Sequence, residues 1–176
     1  KNIPNCPLYE GWKGVFAWLK SKQIPIGIVS HCTKGYITKT LKYWGLTDVF
    51  SCLLTRYGHG TRFKGKVSTD KLISLALQAA AFKGIEAGGV LYLSDQVKDM
   101  KITRNAGAVP IGCLWGSKEK QELKEEGCIT LDTPLKLIQL IKNQLNIKNY
   151  KNMNTKFKVE GKDVTVGVVE ETIEEG

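Results

Sequence analysis

Between residues 24 and 145 the chain alternates short apolar runs with longer segments of helical spacing, without an internal sequence repeat. Ile24–Val29 (IPIGIV) is the first such run and ends in Ser30-His31. Apolar residues on both faces predict a strand buried from both sides, as in a parallel sheet. Tyr36, Ile37, Leu41 and Trp44 then predict a helix over Thr33–Trp44, stopped by Gly45. Phe50–Leu54 is a second strand, and Ser68 is placed to cap a helix over Thr69–Phe82 that Gly84 closes. Val90–Leu93 is a third strand, followed by a helix over Val97–Ala106 that stops at Gly107. Then come a strand at Val109–Trp115, a helix at Lys118–Glu126, a strand at Ile129–Leu131 and a helix from Thr133 to Leu145. This alternation predicts an α/β fold, a three-layer Rossmann-like parallel sheet with helices on both faces.

Right-handed crossovers put the carboxyl ends of such strands along one edge, and ligands bind outside that edge. The polar residues that end the strands are therefore the candidates for chemistry: Ser30 with His31, and Ser94 with Asp95. After the core (residues 1–147), the polar stretch 148–155 reads as a linker. Residues 156–176 read as a short C-terminal β-hairpin extension, with strands Lys156–Glu160 and Asp163–Val169 around Gly161 and an acidic end, Glu170–Gly176.

Charge narrows the partners. The formal net charge is +9, and residues 1–116 hold 16 basic against 6 acidic side chains. Such a body attracts anions, phosphorylated small molecules among them. No run of Lys and Arg exceeds two residues, which argues against nucleic acid. No apolar run approaches the ~20 residues that span a bilayer. Five cysteines, none in a CxxC pair, fit a reducing, cytoplasmic setting better than a disulfide framework. The first residue is Lys1 rather than Met, which suggests a fragment or a processed product.

Asp95 ends a strand and Asp99 falls one turn into the next helix, so both carboxylates can face one small volume beyond the sheet. Hard cations such as Mg²⁺ take one or two carboxylates plus waters and a phosphate. The competing reading makes Asp95 a helix cap and Asp99 a first-turn acid favoured by the helix dipole. Ser30 precedes a helix start whose N–H groups could hold a phosphate oxygen, or it too is a cap. Lys66 precedes another helix start, where its ammonium could neutralise a phosphate; with 23 lysines in the chain, a surface role is the alternative.

Taken together, these segments resemble the haloacid dehalogenase superfamily of phosphohydrolases, of the phosphoglycolate-phosphatase-like kind. The resemblance covers about residues 8–145. LYEGWKGVFAWLKSKQIPIGIVS (Leu8–Ser30) is similar to the stretch after the family's cap insertion, leading into its second motif at Ser30. Lys66 matches the third motif, with Val67 where Pro is usual. VLYLSDQVKDM (Val90–Met100) matches the fourth motif through Asp95 and Asp99, with Ser94 where Gly is more usual. RNAGAVPIGCLWG (Arg104–Gly116) matches the family's next helix end and strand.

The resemblance implies a Mg²⁺-dependent phosphatase acting on a small phosphorylated metabolite through an aspartyl-phosphate. Asp95 and Asp99 would be metal ligands, Ser30 and His31 phosphate-binding residues, and Lys66 both a phosphate-binding and a catalytic residue. The family's nucleophile comes from a DxD motif on its first, central strand, and this sequence contains no DxD. The expectation is thus a truncated enzyme without cap or nucleophile; the alternative is a non-catalytic module in a larger assembly. The missing strand would lie between those ending at Ser30 and Ser94. A preceding segment or a partner chain would fill that interval, or else the tail strand Val164–Val169 would, bringing Glu170-Glu171-Thr172 near the place of the missing motif. The substrate, and the roles of His31 and His59, stay open at this level.

Overall fold

The computed structural model describes residues 7–55, 67–144, 157–159 and 162–169. Its elements in chain order are α1 (Trp12–Ser21), β1 (Gly27–Ser30), α2 (Lys34–Trp44), β2 (Cys52–Thr55), α3 (Thr69–Ala81), β3 (Val90–Ser94), α4 (Val97–Asn105), β4 (Val109–Cys113), α5 (Lys120–Glu125), β5 (Ile129–Leu131), α6 (Lys136–Gln144), β6 (Phe157–Val159) and β7 (Lys162–Val169). The alternation expected from the sequence is present.

Local chemistry explains the boundaries. The Thr33 hydroxyl accepts the Tyr36 N–H at 3.3 Å and starts α2, while Gly45, at φ 72°, ends it in a left-handed conformation that costs a glycine little. β1 begins at Gly27 rather than Ile24. Ile24 and Ile26 are buried, but Pro25 between them has no N–H to give a ladder. Helix α1, which precedes the first strand, buries Trp12, Val15, Phe16 and Leu19 at the i, i+3, i+4, i+7 spacing of one helical face.

The sheet order is β2-β1-β7-β3-β4-β5, with β6 hairpinned onto β7. Every pair along that path is parallel, and only β6–β7 is antiparallel. Strand β7 lies between β1 and β3: Ile28 pairs with Val169 on one side, and Val90, Leu91 and Leu93 pair with Thr165, Val166 and Val169 on the other. Without an occupant, β1 and β3 would stand two strand spacings apart, about 9.6 Å, with main-chain groups unpaired in the interior. The chain's own late strand takes this place, pairing with β3 over Val90–Leu93 and with β1 at Ile28. Stretch 148–155 and Glu170–Gly176 fall outside the described residues.

Alternate residues of the strands feed two layers. Ile28, Leu91, Leu93, Ile111 and Leu131 pack with α1, α2 and α6 on one face. Val29, Leu54 and Tyr92 pack with α3, and with Ile102 of α4, on the other. The result is three layers with the carboxyl ends of β1 and β3 emerging on either side of β7. No helix among the described residues is long and apolar enough to cross a membrane.

Candidate functional site

Two serines end the strands that flank β7, and both make the same local turn. The Ser30 hydroxyl accepts the Cys32 N–H at 3.1 Å, and the Ser94 hydroxyl accepts the Gln96 N–H at 3.2 Å. Each turn drives the chain sharply off its strand, so the next residue stands at the sheet edge. Both serines are buried. Ser94 does one thing more: its hydroxyl donates to Asp99 Oδ2 at 2.7 Å.

Asp99 lies in the first turn of α4 and is 0% exposed. Its Oδ2 is held by Ser94, whereas its Oδ1 has no hydrogen-bond partner among the described residues. Burying a carboxylate oxygen without a partner is costly, so this oxygen asks for a cation or a water. Asp95 precedes it at the strand's end, half-buried, against Gly116 of the β4–α5 turn. Asp95 is not the cap of α4; that position belongs to Gln96, whose side chain makes no capping bond. Instead, Glu119 reaches across from the β4–α5 turn, and its Oε2 accepts the Val97 N–H at 3.3 Å. Asp95, Gln96, Lys98, Gly116, Lys118 and Glu119, together with Tyr9 and Val97, line a cavity of about 520 Å³ beside this edge.

The acid pair suits a hard divalent cation. Carboxylate oxygens are the right donor chemistry, and Asp99 Oδ1 is a buried donor with nothing bound to it. Among the described residues no group of three or more His, Cys, Asp or Glu gathers at one point.

On the β1 side, His31 Nε2 lies 2.8 Å from Thr69 Oγ1. This contact ties the turn after β1 to the first residue of α3. Ser68 stands at the cap of α3 with an extended backbone, but its hydroxyl serves Asp70 rather than a helix N–H. That hydrogen bond holds the Asp70 carboxyl below its ordinary range. Ser30 sits in the lining of a small cavity with Phe16, Ile37 and Thr40. Lys66 and His59 lie outside the described residues.

Thus the structure bonds Asp99 to Ser94, sets Asp95 next in the chain against Gly116, and places Ser30 with His31 at the other flank of β7. Sequence reasoning missed Gly116, Glu119 and Thr69 as neighbours of these groups. Glu119 is 22 residues from Val97, and no local pattern announces such a contact.

Three layers around a parallel sheet, with acidic residues at its carboxyl edge, place the chain in the Rossmann-like α/β class, whose ligands bind outside that edge. The model of the haloacid dehalogenase-like hydrolase family matches residues 1–112, and the chain belongs to that family. A phosphoglycolate phosphatase of Synechococcus elongatus is 27% identical over 141 residues, covering 79% of this chain and 61% of that protein. The chain therefore spans about three-fifths of that relative's length. Among solved structures, a haloacid dehalogenase-superfamily hydrolase from Ehrlichia chaffeensis matches with a TM-score of 0.61 at 18% identity, covering 81% of this chain and 62% of its own. A protein from Haemophilus somnus described as a predicted phosphoglycolate phosphatase matches at TM-score 0.65 and 16% identity, over 79% and 60%. A haloacid dehalogenase-like family protein from Streptococcus pneumoniae gives 0.60 and 19%, over 76% and 59%. At these identities the structural matches carry the fold.

Proposed function

We propose that this chain is the cation- and phosphate-binding part of a Mg²⁺-dependent phosphatase that acts on a small phosphorylated metabolite. The observation that carries this reading is the fully buried Asp99, held by Ser94 and with one oxygen unclaimed, in the first turn of the helix that follows Asp95. Asp95 and Asp99 would hold the cation; when bound, it would offset negative charge on the phosphoryl group. The Ser94 hydroxyl keeps Asp99 oriented, and its turn presents Asp95. Across β7, Ser30 and His31 would meet the phosphate oxygens, with the amino end of α3 drawn close by the His31–Thr69 contact. Lys66, one residue before Val67, would neutralise the phosphoryl group and the attacking carboxylate.

The attack itself needs a carboxylate that the described residues do not supply at this edge. This chain's share is to bind and orient the ester and to hold the cation ligands. Cys32, Cys52, Cys113 and Cys128 are free thiols, which agrees with a reducing, cytoplasmic setting. The test is hydrolysis of para-nitrophenyl phosphate by the whole encoded protein with Mg²⁺. Turnover should depend on Mg²⁺ and be lost in Asp95→Asn. Absence of turnover, or turnover indifferent to Asp95→Asn, would overturn the reading.

A further inference from the structure

We infer that the turn joining β4 to α5 is a rigid wall that fixes Asp95, and that Gly116 is a positioning residue for this cation ligand. The inference rests on the assignment of Asp95 as a ligand in the proposed function. A Cβ at position 116 would lie 3.1 Å from Asp95 Oδ2, 3.4 Å from its Cβ and 3.6 Å from its Cγ. One of the two sides would have to give way by a few tenths of an ångström.

The turn is the side that cannot move. On its near flank, the Leu114 N–H donates to Leu131 O at 2.8 Å, and the Trp115 ring meets the buried Trp12 ring edge-on at 5.9 Å. On its far flank, Ser117 is buried and its hydroxyl accepts the Glu119 N–H at 3.0 Å. Glu119 is in turn bound to the Val97 N–H of α4. The backbone of Gly116 is thus pinned on both sides by groups packed against the core. Asp95 sits in a half-buried turn after β3 and lines a cavity, so space is open on its side of the contact. A methyl group at 116 therefore displaces the carboxylate from the place where Asp99 Oδ1 could share a cation. Gly116 has no left-handed φ, so Gly116→Ala probes the contact and not backbone strain.

The experiment uses the full chain and terbium(III), an oxygen-seeking probe whose luminescence tryptophan excites, with Mg²⁺ as competitor. Four proteins are compared: wild type, Asp95→Asn, Gly116→Ala and the double variant Asp95→Asn/Gly116→Ala. Thermal unfolding without metal accompanies each. Displacing a supporting group of a metal ligand typically weakens metal affinity ~10- to 100-fold. We expect a loss of that order in Gly116→Ala, no change in metal-free unfolding temperature, and no further loss when it is added to Asp95→Asn. Glu119→Ala frees the α4 end of the wall by another route and should weaken binding in the same direction, so the test survives a poorly folded Gly116→Ala. Folded Gly116→Ala and Glu119→Ala proteins that bind terbium as wild type does, while Asp95→Asn does not, would overturn the inference and leave the proposed function standing. Unaltered binding in Asp95→Asn would remove both.

Discussion

Replacing Ser94 with Ala tests whether the hydrogen bond behind Asp95 organises the site. The hydroxyl is 0% exposed, donates to Asp99 Oδ2 at 2.7 Å and accepts the Gln96 N–H at 3.2 Å. A hydrogen bond to a charged acceptor contributes about 1.5–3 kcal/mol, and stranding the buried acceptor adds its desolvation cost. Asp99 already has one oxygen without a partner, so Ser94→Ala leaves the whole carboxylate bare. The expected loss of stability is about 3 kcal/mol, a large share of the 5–15 kcal/mol typical of a domain. With a urea m-value near 2 kcal/mol/M, the midpoint should fall by about 1.5 M. The assay is urea unfolding in EDTA followed by tryptophan fluorescence, on Ser94→Ala, Asp99→Ala and the double variant. Once Asp99 is gone, Ser94→Ala should cost only the ~1 kcal/mol of its bond from the Gln96 N–H, which gives a coupling of about 2 kcal/mol. A coupling below about 0.5 kcal/mol would mean that the two side chains act independently, and the argument for a preset Asp99 would fail.

Two further expectations rest on the same geometry. Val166→Pro places a residue without an N–H in a strand paired on both sides, so it should cost ~3 kcal/mol or more by denaturant unfolding; an unperturbed midpoint would contradict the central position of β7. Ser68→Ala should raise the Asp70 titration, read by NMR, toward the ordinary carboxylate range. The sign is that of a depressed carboxyl: its stabilising contribution is present above the ordinary range and lost as pH falls through the folded value, so Ser68→Ala should flatten the acid limb of the stability profile.

The parts of the fold written in local periodicity were readable in the sequence. Ile129–Leu131 and the helix ends at Gly45 and Gly107 need only neighbours a few residues away, and the structure places them as expected. The edge residues were readable too, because parallel topology alone puts Ser30 and Ser94 on one side. Where the sequence misled, a non-local contact decided. Ser94 stands where the resembling family more often has glycine, and its value lies in a hydroxyl aimed at Asp99 five residues on. Asp95 looked like a cap, yet Glu119 supplies the acceptor for that helix end from a separate turn. The interval between β1 and β3 was legible as a need, and the apolar Val164–Val169 stretch as one possible answer. Only the pairing registers show that β7 occupies it.

The position of β7 also sets an order of events. Val169 pairs with Ile28, so the middle of the sheet joins residues about 140 apart in the chain. During synthesis, β1, β2, β3, β4 and β5 all leave the ribosome before β7, and their sheet has an open seam until the hairpin arrives. Such a long-range pairing is slow to form, and each flank of the seam is meanwhile an exposed strand edge that any other extended chain can join. Until β7 has emerged, both edges therefore stay open to pairing with other extended chains. Among the described residues, only β7 stands between β1 and β3, so closing this seam waits on the last strand of the sheet to be made.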